Sequence, residues 1–370
     1  MAVRERDRRV GDPSAEARGV GRPSEGSRED GTKGAVARRG KRLASVDALR
    51  GLAIVILLLA GNPFMRPDLP AQLKHPNWHG LSFADLFFPL FLFIVGIAMS
   101  LSSRTGSGRL VLRRVLLLAL IGVALSSFKH GRLYPTGVLQ HIAGAYLVAW
   151  LILRSPRRIQ FALGACIVGA LWLAYVLYAG AGADPWSRER TLAHAVDGWI
   201  FGGFSTEGTL QTIASGVTVL GGALIGRGMK ERREPGILAR WVAGHAAWLI
   251  SAGLLLALVV PLNKRLWSPS FTILTIGTSC AMFVLFIWLM DVRDGRRWFT
   301  PLVQLGANPI AIYVGFIAVR ALVADFKGAV PQLAPFGSET VGAMLYSSGW
   351  LALGLLAAHL LYRRRLFLKI

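Results

Sequence analysis

Acidic residues are scarce in this chain of 370 residues: 20 Asp and Glu stand against 42 Lys and Arg, a formal net charge of +22. Such an imbalance on a polar surface would point to nucleic acid. Charge as a whole is scarce too, at 17% of residues against 53% hydrophobic, with a mean hydropathy of +0.48. A water-soluble core could not absorb that much apolar sequence. Cysteine is nearly absent: Cys166 and Cys280 both fall inside apolar runs, which excludes a disulfide framework and a thiolate metal cluster. The chain also lacks a Walker loop, a Gly-x-Gly-x-x-Gly after a strand, a Gly-x-Ser-x-Gly elbow and a Cys-x-x-Cys pair. The soluble-enzyme chemistries those motifs serve therefore have no support.

What the chain does have is long apolar runs. A membrane helix needs about 20 mostly apolar residues. Ten candidates follow one another, at about 46–64, 84–103, 110–128, 136–153, 159–179, 208–227, 238–260, 270–290, 301–322 and 341–361. The expected fold is all-α, a polytopic bundle of about ten membrane helices over residues 43–370. Residues 1–42 are rich in Arg, Glu, Gly, Asp and Ser and have little to bury. They read as a disordered basic tail attracted to anionic lipid headgroups.

Basic residues alternate between the loops. One side holds the tail, Arg104 to Arg114, Arg154 to Arg158, Arg227 to Arg240, Arg293 to Arg297 and Arg363 to Lys369, most of the 42 in all. The other side holds few. The positive-inside rule then places both termini in the cytoplasm, with the chain multi-pass in the cell's inner membrane. The loop around His75 falls outside. No internal repeat of the kind that marks many transporters is evident.

That external loop, Lys74-His75-Pro76-Asn77-Trp78-His79-Gly80-Leu81-Ser82-Phe83-Ala84-Asp85, gathers two imidazoles, an indole and a carboxylate between two apolar runs. Ionisable groups at a membrane helix mouth are costly and usually functional. His75 reads as a general base or transient acyl carrier, or as a loop histidine bound to a headgroup or a carbonyl. His79 follows at a spacing that could share a metal, but Pro76 opposes a helix through both and no third ligand follows except Asp85. No metal is expected. Asp85 either favours the next helix's N-terminus or orients His75; both can hold. Asp47 and Arg50 open the first run as an ion pair or as a phosphate site. Asn62, Lys264 and Asn308 are candidate hydrogen-bond donors to an oxyanion, with packing or capping as the plainer reading of each.

The motifs together resemble those of the heparan-alpha-glucosaminide N-acetyltransferase family and its bacterial relatives. The resemblance rests on Leu73 to Gly80 followed by Asp85 to Gly96, on Ser45 to Gly51, on Gly137-Val138-Leu139-Gln140, on Thr206-Glu207-Gly208, on Leu262 to Ser270 and on Gly306-Ala307-Asn308-Pro309. It covers about residues 43 to 320 in order. Departures are His141 for an arginine, Thr136 for a proline, Gly198 for an arginine and Ser205-Thr206 for Asp-Pro.

The resemblance implies a transmembrane acetyltransferase with His75 at its reaction centre and a CoA-binding cavity between helices. It implies cytoplasmic acetyl-CoA as donor, an external amino sugar or glycan as acceptor, and a homodimer. On this expectation Asp85 supports His75. Asp47, Arg50, Arg113, Arg114, Gln140 and His141 meet the cofactor, the arginines by attracting its phosphates. Asn62, Trp78, His79, Glu207, Lys264, Trp267 and Asn308 meet the acceptor or the developing oxyanion. A transporter or flippase without chemistry is the alternative, using the same polar groups as a path.

Overall fold

The computed structural model describes residues 44–59, 72, 75–323 and 339–367. The expected tail at 1–42, together with Asn62 and Lys74, lies outside the described residues. Every regular element among those described is helical. They are α1 (44–59), α2 (Phe87–Leu101), α3 (Gly108–His130), α4 (Val138–Leu153), α5 (Arg157–Ala179), α6 (Leu192–Phe201), α7 (Thr209–Glu231), α8 (Pro235–Leu256), α9 (Pro269–Phe286), α10 (Thr300–Ala307), α11 (Pro309–Val323) and α12 (Glu339–Arg363).

Each of the ten apolar runs holds a helix, but they differ in reach. Among the described residues, six are long and apolar enough to cross a membrane: α2 with its preceding turn, α3, α5, α7, α8, and α9 with its π-helical extension to Val292. Helix α4 has 16 residues and rises about 24 Å, short of a hydrocarbon layer of about 30 Å. The run at 301–322 is not one helix. It breaks into α10 and α11 with a bend of 69° at Asn308, where Pro309 supplies no backbone donor. Counted as one span, the bent pair brings the total to seven.

The stretch 180–207, between the apolar runs at 159–179 and 208–227, contains α6. Thr191 caps its start by accepting the His194 N–H at 3.4 Å. Gly202, at a φ of 77°, ends it in the left-handed region. At 10 residues the helix is too short to give an apolar run.

Small residues set the packing at the centre. Helices α2 and α7 run parallel with their backbones in contact: a Cβ on Gly222 would strike the Phe93 carbonyl, and one on Gly96 the Val219 carbonyl. Without a hydrophobic effect between helices in lipid, such close approach is what dispersion contacts require. Leu90, Phe93, Ile94 and Ile97 of α2 join Phe283 and Ile287 in the largest buried cluster. Outward-facing Leu120, Leu177 and Leu258 are well exposed, as a lipid-facing surface would have them.

Gly222→Ala is expected to destabilise the protein by about 1–3 kcal/mol through overpacking. Gly244→Ala on α8, where a Cβ meets open space, should be neutral or stabilising by up to about 1 kcal/mol. Unfolding midpoints of the two variants in the same detergent check this.

Candidate active site

The loop before α2 is built to fix one carboxylate. Gly80 has a φ of +117°, a conformation that strains any side chain, and its N–H donates to the Leu262 carbonyl at 2.8 Å. That bond ties the His75 loop to the segment carrying Lys264. Ser82 then starts the short 3₁₀ turn Phe83–Leu86. Its N–H and its hydroxyl both donate to Asp85 Oδ2, at 3.1 and 2.9 Å. Asp85 is fully buried.

The other oxygen, Oδ1, faces His75 Nδ1 at 2.7 Å and Lys264 Nζ at 3.0 Å. With Ser82 on the other oxygen, these two contacts pair a deeply placed carboxylate; unpaired, it would cost several kcal/mol. An ionised carboxylate only accepts, so Nδ1 of His75 is the protonated nitrogen. The Lys264 ammonium lies farther from Nδ1, at 3.5 Å, and does not compete. Nε2 is thereby left with its lone pair, in an imidazole about half exposed. This is the base–orienter arrangement, with the carboxylate fixing tautomer and ring angle.

The His75 pair opens into a cavity of about 1050 Å³. His75, Lys264 and Glu207 line it at the α2 start, and Phe87, Phe88, Phe91, Leu118 and Ile142 line its middle. Arg50, Arg104, Arg113 and Arg114 line it near the far end of α2. The 15 residues of α2 separate the two groups by about 22 Å. One continuous space thus joins an imidazole on one side of the bundle to a cluster of guanidinium groups on the other. Arg50 donates to Asp47 at 2.8 Å and to the Gly306 carbonyl at 3.0 Å. Arg114 stacks on Tyr146 with its buried Nε unpaired.

The remaining expected site residues scatter. Asp47 holds Arg50 and does not itself line the cavity. Trp78 donates to the Trp186 carbonyl at 2.7 Å and packs on His194 and Phe204. Burial lowers the His194 pKa and favours the neutral ring stacked on Phe204, while the Asp197 carboxylate pulls the other way. His79 pairs with the Asn263 amide at 3.4 Å. Trp267 is buried, donates to the Thr218 hydroxyl at 3.3 Å and packs on Phe88 and His141. Gln140 and His141 stand behind the wall that Leu139 and Ile142 present to the cavity. Asn308 donates to the Leu366 carbonyl at 2.9 Å. None of Trp78, His79, Gln140, His141, Trp267 and Asn308 lines the cavity. Among the described residues no group of three His, Cys, Asp or Glu side chains could hold a metal.

Residues that sequence reasoning passed over are Arg104 and Tyr313, which line the cavity, and Ser82, which completes the Asp85 shell. Arg104 carried a signal, as one of a basic cluster after an apolar run. Ser82 carried one too, as the first residue of a Ser-x-x-Asp capping pattern before an apolar run; Tyr313 carried none.

The family model described as heparan-alpha-glucosaminide N-acetyltransferase, catalytic, matches residues 42–185. This chain is similar to the heparan-alpha-glucosaminide N-acetyltransferases. The curated mouse protein of that name is 24% identical over 415 aligned positions, and the human protein 26% over 414. Each alignment takes in 89% of this chain and 60% of the relative, so the chain spans about three-fifths of the relatives' length. The stretch matched by the N-acetyltransferase family model contains His75, Asp85, Arg104, Arg113 and Arg114, which line the cavity or support its His75 end.

Asp85→Ala should destabilise the chain by about 3–5 kcal/mol, because the Lys264 ammonium and the Ser82 donors lose their acceptor together. Asp85→Asn keeps an acceptor for Ser82 and should cost less. Thermal unfolding of the two variants in micelles checks the order.

Proposed function

We propose that the protein is a multi-pass membrane acetyltransferase that carries an acetyl group from cytoplasmic acetyl-CoA to an amino sugar or glycan outside. The observation that carries this reading is the single cavity with His75–Asp85 at one end and Arg50, Arg104, Arg113 and Arg114 at the other. The similarity to the N-acetyltransferases supports it over the alternative of a path without chemistry.

In this reading the phosphates of CoA rest among the arginines, for which guanidinium geometry is suited. The pantetheine arm follows the apolar middle, and the thioester reaches the His75 end. The acceptor enters from outside. His75 Nε2 takes the acceptor's proton as its nitrogen or oxygen attacks the thioester carbon. The C–S bond breaks, and the proton passes from the imidazolium to the CoA sulfur. Asp85 stabilises the imidazolium meanwhile. A variant of the same scheme transfers the acetyl group first to His75 and then to the acceptor. Lys264, 3.0 Å from Asp85 and on the cavity wall, supplies a positive charge near the developing oxyanion. In the same reading both termini and the basic loops lie on the cytoplasmic side of the inner membrane, as the positive-inside rule favours. A homodimer fits the scheme without being needed by it.

The test gives the full chain in lipid nanodiscs labelled acetyl-CoA and a panel of amino sugars and neutral sugars. Label transfer with release of free CoA is expected; CoA binding with neither would favour transport instead. His75→Ala should lower turnover about 10²–10⁴-fold, and Asp85→Asn should lower it strongly by removing the tautomer constraint. Replacing Arg113 and Arg114 by Gln should raise KM for acetyl-CoA and leave KM for the acceptor unchanged.

A further inference from the structure

The charged groups on the cavity wall are almost all of one sign. Arg50, Arg104, Arg113, Arg114 and Lys264 are basic, and among the described residues Glu207 is the one acidic residue lining the space. A cation entering from outside would meet net repulsion unless something local offset it. Asp85 does not line the cavity, and its oxygens are taken up by His75, Lys264 and Ser82. Glu207 is different. Its Oε2 accepts from the Thr206 hydroxyl at 2.8 Å, and no Lys, Arg or His among the described residues pairs with it. It stands at the His75 end, on the turn entering α7.

That turn is fixed with unusual thoroughness. The buried Asp197 carboxylate accepts the Ser205 N–H at 3.3 Å and the Thr209 N–H at 3.0 Å. Gln211 donates to the Ser205 carbonyl at 3.1 Å, and the Ser205 hydroxyl accepts the Glu207 N–H at 3.2 Å. Gly208 leaves no room for a Cβ, which would strike the Asp197 carboxylate. Two buried side chains on α6 and α7 therefore hold the backbone that carries one unpaired carboxylate into the cavity.

We propose that Glu207 is the counter-ion for a cationic amine, and that it selects an acceptor bearing a free ammonium over one offering only hydroxyl groups. The inference rests on the acetyl-transfer reading for its consequence, which is transfer to nitrogen in preference to oxygen. The ammonium docks beside Glu207 and loses one proton to external water. The neutral amine then attacks the thioester carbon: the C–N bond forms, the C–S bond breaks, and the amine's second proton travels through His75 to the CoA sulfur. A hydroxyl of the same shape can donate only a neutral hydrogen bond to Glu207, without the charge pairing an ammonium supplies, and binds more weakly on that account.

Glucosamine and glucose, which differ at one position by an ammonium and a hydroxyl, are the probes. Calorimetric titration of the full chain in nanodiscs should show glucosamine binding at least about tenfold tighter than glucose, the scale of a hydrogen bond to a charged group. Glu207→Gln should weaken glucosamine by about ten- to hundredfold and leave glucose unchanged, which also shows that the variant is folded. No preference in the wild type, no glucosamine binding at all, or a preference that survives in Glu207→Gln overturns the proposal. Label transfer measured on the same preparation reports separately: amine discrimination without transfer sinks the enzymatic reading alone, and transfer without discrimination sinks the role of Glu207 alone.

Discussion

One buried carboxylate organises the His75 end of this protein. Asp85 sits at the start of a long apolar helix, out of contact with water, and a charge there is tolerable only when every lone pair is met. Ser82 meets one oxygen from within the same turn. Lys264 and His75 meet the other from segments distant in sequence from each other. The three-way contact draws the loop before α2 and the loop before α9 together, and the Gly80–Leu262 backbone bond closes the same seam a few residues away. The reaction chemistry proposed for His75 is a by-product of this arrangement: the demand of a buried anion for donors fixes the tautomer that leaves Nε2 available.

The cavity has a matching polarity. One mouth is guanidinium-rich, the middle is aromatic and aliphatic, and the His75 end holds an imidazole, an ammonium and one carboxylate, Glu207, with no basic partner among the described residues. A ligand with a phosphate-bearing head and a slender, mildly polar arm fits that order. Neither mouth alone would suggest an acyl donor. The join between them does, and the similarity to known N-acetyltransferases agrees with it while covering only part of those proteins' length.

Much of this was legible in the sequence. The apolar runs marked where helices form, and the ten-residue gap from His75 to Asp85, with a Gly and a Ser between, suggested a compact loop ending at a helix start. The run at 301–322 hid its break because Asn308-Pro309 interrupts hydropathy very little. Helix α6 hid because ten residues make no membrane signal. The motif residues Gln140 and His141 illustrate a different limit. Val138, Leu139, Ile142 and Tyr146 share one face at helical spacing and form the wall, so the two residues between them point elsewhere. Motif order says which residues belong together and nothing about which face of a helix they occupy. Long-range partnerships such as Lys264 with Asp85, or the Asp197 brace behind Glu207, carry no local pattern and needed coordinates.

The glycine seam between α2 and α7 has a mechanical meaning. With main chain against main chain and no side chains interposed, the pair has no rotamers to adjust and no cushion to compress. They behave as a single stiff spar. Helix α1 is locked in the same way to α10, with Gly51 against the Leu302 carbonyl and Gly306 against the Asp47 carbonyl. In the proposed reaction, the breathing that admits the donor and releases its thiol therefore falls to α3, whose Gly108 and Gly122 meet the side chains of Trp150, Gln140 and Leu139.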